Sequence, residues 1–157
     1  MTELQIGDQT IRYDREATAA IYATIQRGHA EECGCPACRN FAAQRESIYP
    51  ASFRAMLEQL GIDADKESST AEYGPLADDV YRYDGWFALV GEVVAAGASN
   101  LHAPDANYFE FFFTSVCPNA PPFGDHPRLG LEFATNVKWV LADPPEYRTA
   151  DGDIIPL

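Results

Sequence analysis

Three of the four cysteines lie within six residues, as Cys33-Gly34-Cys35-Pro36-Ala37-Cys38. In a Cys-x-x-Cys step such as Cys35 to Cys38, a short turn brings two sulfurs to one ion at about 2.3 Å each and leaves backbone N–H groups free to stabilise the thiolates. Pro36 fits the first position of a helix. Cys35 then stands at the N-cap and Cys38 in the first turn, where the macrodipole favours negative sulfur. Zinc prefers four nitrogen or sulfur ligands, and the motif offers three. The expectation is therefore a zinc site of Cys33, Cys35 and Cys38, completed by Cys117, which accounts for all four cysteines, or by His29, which is nearer in the chain.

Two other readings of the same residues stay open. Cys35-Pro36-Ala37-Cys38 at a helix start resembles the active site of thioredoxin-type enzymes, which would make Cys35 and Cys38 a redox dithiol. Against that, no βα unit with a tryptophan precedes the motif, and Cys33 has no role in it. The third reading is of reduced, buried cysteines that only pack.

Further candidates are carboxylates. Glu92 in Val90-Gly91-Glu92-Val93, Glu110 in Phe109-Glu110-Phe111 and Glu132 in Leu131-Glu132-Phe133 each interrupt an apolar run. If those strands are neighbours, the three could meet on one face, divide acid and base roles or hold a hard cation. Otherwise each marks the solvated side of a half-buried strand. His29, His102 and His126 all fall in expected turns or loops and make no His-x-His or His-Glu-x-x-His pair. Arg39 and Asn40 follow Cys38 directly, and Arg39 is placed to hold Glu31 or Glu32. No nucleophile elbow and no phosphate-binding loop is present.

The elements that must position these residues are legible in part. Leu4-Gln5-Ile6 and Thr10-Ile11-Arg12-Tyr13 flank a Gly-containing loop and read as a hairpin. Residues 17–26 fit a strand or a helix, and the strand is preferred. A helix from Pro36 carries Cys38, Phe41, Ala42 and Ile48, and Tyr49-Pro50 stops it. A second helix carries the stripe Phe53, Met56, Leu57 and Leu60, closed by Gly61 as a left-handed cap. Beyond residue 70 the chain reads as strands: 80–83 and 86–90 joined by an Asp84-Gly85 turn, then 108–116, 129–135 and 137–141. The tail from Asp143, rich in proline, is expected to wrap the surface. The expected fold is α+β, one domain over residues 1–157, with an antiparallel sheet packed on one face by the two-helix hairpin of residues 33–61.

Charge narrows the partners. Lys and Arg number 11 against 24 Asp and Glu, a net charge of −13. Residues 1–60 carry −2 and residues 61–157 carry −11, with the acids densest over 63–84. Such a field disfavours nucleic acid and anionic membrane, whose binding depends on Lys and Arg displacing counterions. A basic protein or a metal cation suits it. The longest apolar stretch, residues 86–98, includes Glu92 and falls short of the roughly 20 residues a membrane span needs. The N-terminus shows no basic segment followed by an apolar one, so a cytoplasmic chain is expected. There, four cysteines point to metal, redox or burial before disulfides.

Cys33-x-Cys35-x-x-Cys38-Arg39-Asn40-Phe41, Leu60-Gly61-Ile62-Asp63 with Lys66-Glu67, and Tyr83-Asp84-Gly85-Trp86-Phe87 with Gly91-Glu92 together resemble a group of small uncharacterised bacterial proteins. Weaker echoes occur in Leu131-Glu132-Phe133 and Trp139-Val140-Leu141. The resemblance implies one domain with a shared cysteine motif and implies no substrate. The reading that results is a zinc-stabilised, non-enzymatic binding protein whose acidic surface meets a basic protein, in the manner of an inhibitor or immunity protein. Its alternative is an enzyme, either a thiol oxidoreductase using Cys35 and Cys38 or a metal-dependent enzyme using the strand glutamates.

Overall fold

The computed structural model describes residues 1–117, 121–148 and 154–156. The fold is α+β: an antiparallel sheet with helices on one face. The strands are β1 (Thr2–Ile6), β2 (Gln9–Tyr13), β3 (Ser69–Ala77), β4 (Val80–Ala95), β5 (Leu101–His102), β6 (Phe109–Thr114) and β7 (Arg128–Lys138), with a separate pair β8 (Glu146–Arg148) and β9 (Ile154–Pro156). The main sheet runs β1-β2-β4-β7-β6-β5, with β3 also paired to β4. Helices α1 (Arg15–Tyr22), α2 (His29–Cys33), α3 (Pro36–Ile48) and α4 (Ala51–Leu60) complete it. None of the described helices is long and apolar enough to cross a membrane.

Strand alternation builds the core. Tyr81, Tyr83, Phe87 and Leu89 of β4, Phe109, Phe111 and Phe113 of β6, and Leu129, Leu131 and Phe133 of β7 are buried with Phe41, Phe53, Leu57 and Leu60 of the helices. Tyr49, between α3 and α4, meets Phe133 edge-on at 5.3 Å between centroids, and Phe53 lies 4.6 Å from Phe109. Burying side chains of this size is the largest favourable contribution available to the fold.

The two expected helices form as α3 and α4. Gly61 caps α4 with φ +80°, and the N–H of Ile62 returns to the Leu57 carbonyl at 2.9 Å. Three expectations are corrected. Residues 15–22 are helical, not a strand, because Asp14 caps them by accepting the Ala17 N–H at 2.9 Å. The face so formed docks on β4, where the Tyr22 hydroxyl donates to the Ala88 carbonyl at 2.9 Å and Thr18 Oγ1 accepts the Val90 N–H at 3.1 Å. Asp84-Gly85 is not a turn: β4 is continuous, and the chain reverses at Asp78-Asp79 instead. Gly85 faces the core, where the Phe133 ring occupies the space a Cβ would need. The expected strands 129–135 and 137–141 are one strand, β7, interrupted by nothing at Asn136. Of the tail beyond Asp143, residues 149–153 and 157 lie outside the described residues.

Candidate metal centre

Two helix ends meet at the cysteine motif. His29 opens α2 and Cys33 closes it, four residues apart and so on one face of the helix. Gly34, at φ +64°, reverses the chain, and Cys35 caps α3 with Pro36 at its first position. Cys38, buried in the first turn of α3, donates its backbone N–H to the Cys35 sulfur at 3.5 Å. An N–H aimed at sulfur is how chains satisfy a thiolate ligand.

The donor atoms of His29, Cys33 and Cys38 all lie within 4.8 Å of one another, a group able to hold a metal ion. A four-coordinate ion sets its donors roughly 3–4 Å apart, a spacing within reach of small side-chain adjustments here. Cys35 stands beside them: its backbone N–H and its thiol, with the Cys38 thiol, hold the Cys33 thiol below the usual range. Cys38 is pushed the other way, by burial first and then by the two neighbouring sulfurs.

Cys117, named first as the fourth ligand, is not in this group. It follows β6, whose Thr114 lies opposite Gly130 and hence level with Ala88, whereas the motif sits against Tyr83, five residues along β4. Five residues of strand span roughly 17 Å. The Tyr83 hydroxyl marks the near end by donating to the Ala37 carbonyl at 2.9 Å. His29, the alternative fourth ligand, is the residue that joins Cys33 and Cys38 among the described residues, and the His-x3-Cys spacing of His29 and Cys33 is the signal in the sequence that favours it. His102 and His126 are exposed elsewhere.

Behind the ligands lies a buried ionic hub. Glu67, whose side chain is fully shielded, accepts from Arg45 Nε at 3.0 Å and Arg45 Nη2 at 2.9 Å, and from the Ala30 N–H at 2.9 Å. Arg45 also grips Glu31 at 2.5 and 2.8 Å. Burial raises the Glu67 pKa while Arg45 and the Ala30 N–H oppose the rise; the bond from Arg45 lowers that of Glu31. Arg39, expected to hold Glu31 or Glu32, instead reaches Asp143 at 3.1 Å. Asn40 is fully buried and ties α3 to the end of β7.

The strand glutamates do not converge as a trio. Glu92 pairs with Arg12 of β2 at 2.7 Å, six residues along β4 from Trp86, the residue opposite Glu132. Glu110 is held by Tyr108 and by Arg82 at 3.2 Å. Glu132 shares the outer sheet face with Asp84, and burial raises both carboxyls, that of Glu132 further through Asp84.

Comparison with known proteins adds no relative to these observations: no family model, no curated protein and no solved structure matches the chain.

Proposed function

We propose that the chain is a zinc-binding protein in which His29, Cys33, Cys35 and Cys38 hold one structural ion. The observation that carries this reading is the convergence of donors from two helix ends, within 4.8 Å for His29, Cys33 and Cys38. Three sulfurs and one imidazole make a soft, four-member set that suits zinc and leaves no position open for a substrate. A redox role for Cys35 and Cys38 is less well supported, because it gives no part to His29 and Cys33, which cluster with Cys38. Metal analysis of protein purified under reducing conditions without chelators tests the proposal. About one zinc per chain is expected, the stoichiometry of a closed site; a content near zero, with thiols that cycle through a disulfide, would overturn it.

The acidic surface supplies the second half of the reading, a docking face for a basic protein. Asp78 and Asp79 are exposed at the β3–β4 reversal, and Tyr73 and Leu76 of β3 stand exposed at 68% and 57% beside them. Apolar anchors rimmed by carboxylates suit a cationic partner segment with apolar side chains. Binding of a lysine-rich peptide bearing leucine and tyrosine should weaken as salt rises and in Asp78→Asn/Asp79→Asn; binding indifferent to salt would argue against this face.

A further inference from the structure

We infer that Arg45, fixed by the buried carboxylate of Glu67, is the positioning residue of the metal centre: through Glu31 it holds the α2 segment so that His29 and Cys33 meet Cys35 and Cys38. The inference rests on the metal reading above.

Helix α2 is short. Its five residues are too few to hold a helix by themselves, since isolated helices shorter than about 12 residues are marginal in water. Three consecutive residues of α2 are tied to one hub instead. The His29 N–H donates to the Glu67 carbonyl at 3.0 Å, the Ala30 N–H to the Glu67 carboxylate at 2.9 Å, and the Glu31 carboxylate receives both terminal nitrogens of Arg45. Gly28 lets the chain come this close, for a Cβ there would press on the Asp65 carbonyl and on both Glu67 oxygens.

Arg45 belongs to α3, the helix that carries Cys38, and its side chain is only 7% exposed. Its planar guanidinium serves two carboxylates at once, Glu67 from the α4–β3 connection and Glu31 from α2, a task an ammonium group cannot match in geometry. The two ligand-bearing helices are thus bridged twice, by the donors at one point and by Arg45 at another. With His29 and Cys33 on one face of α2 and Glu31 between them in sequence, a shift of Glu31 turns the ligand face. The donors are gathered before any ion arrives, which is how residues behind a metal's ligands raise affinity.

Cobalt titration of the full chain under reducing conditions tests this, because tetrahedral cobalt with thiolate ligands reports its geometry by visible absorption. Glu31→Gln leaves the Arg45–Glu67 pair in place and so spares the fold. Glu32→Gln removes the same charge from the exposed neighbour and serves as its control. The expected result is cobalt affinity reduced about 10-fold or more in Glu31→Gln with weaker tetrahedral absorption, wild-type affinity in Glu32→Gln, and cooperative thermal unfolding of both metal-free variants, with a lower midpoint only in Glu31→Gln. Arg45→Lys should weaken cobalt binding further. Equal affinities for Glu31→Gln and Glu32→Gln, reduced or not, would overturn the positioning role while leaving the metal site standing. Failure of the wild type to take up cobalt would remove the metal reading and this inference together.

Discussion

The side-chain oxygen of Asn40 accepts the backbone N–H of Val140 at 2.9 Å, from a position fully closed to solvent. The same amide donates to the Lys138 carbonyl at 3.1 Å and to the Tyr83 hydroxyl at 3.3 Å, so one residue of the cysteine-bearing helix closes the end of β7. Asn40→Ala strips Val140 of this partner. Leaving buried polar groups unmade costs about 1–3 kcal/mol each, and a loss in that range is expected in equilibrium denaturation. A change below about 0.5 kcal/mol, the scatter of neutral surface substitutions, would show that Asn40 is not the clamp.

Ligand identity separates the two histidine and cysteine candidates. Cys117→Ala should retain the metal content of the wild type, whereas His29→Ala, Cys33→Ser and Cys38→Ser should each lose most of it on dialysis against a weak chelator. Retention by His29→Ala together with loss by Cys117→Ala would make Cys117 the fourth ligand.

Metal removal should act locally. A structural zinc is worth an apparent ~10–16 kcal/mol where folding depends on it, against a net stability of roughly 5–15 kcal/mol for a domain. Here, of the four proposed ligands, only Cys38 lies within the buried core, whose aromatic body comes from β4, β6, β7, α3 and α4, and the Arg45 hub holds α2. On adding a strong chelator, amide exchange should accelerate over residues 29–39 and remain slow at Leu131 and Phe133 of β7. Loss of protection throughout the sheet would mean that the ion holds the whole fold.

On the outer sheet face, burial lifts the Glu132 carboxyl above its ordinary value, and the neighbouring Asp84 lifts it further. A raised folded-state pKa means that the native chain binds this proton more tightly than the unfolded one. Its contribution is therefore full below the unfolded value and is lost as pH rises through the folded one. Glu132→Gln should accordingly raise the thermal midpoint at neutral pH, with the gain vanishing below about pH 3, where both states carry the proton. Glu110, lowered first by its bond from Tyr108, has the opposite sign: its stabilisation is lost on acidification.

Gly85 tests the packing of the central strand. Gly85→Ala places a methyl group against the Phe133 ring and should destabilise by about 1–3 kcal/mol, the usual result of overfilling a core. A neutral effect in thermal melts would indicate that the ring yields.

Local pattern made much of this legible. The stripe of α4 and its glycine cap, the helix start at Pro36 and the first hairpin are each written within a dozen residues, where hydrogen bonding and burial act between near neighbours. So was the clustering of Cys33, Cys35 and Cys38. What the sequence could not show depended on partners far along the chain. Asp84-Gly85 has the chemistry of a turn, yet a ring from Phe133 claims the glycine for a straight strand. Residues 17–26 can alternate like a strand, yet residues 15–22 are helical because Asp14 caps them and β4 receives their buried face. Glu67 looks like one more member of an acidic run, and only Arg45, 22 residues away, makes it the buried hub. Between Cys117 and His29 the composition argued for the cysteine, while the decision lay in where β6 ends. Residue type and spacing suggested that a metal could bind; the tertiary structure decided that His29, Cys33 and Cys38 meet, because only packing fixes the distance between segments that the chain itself leaves free.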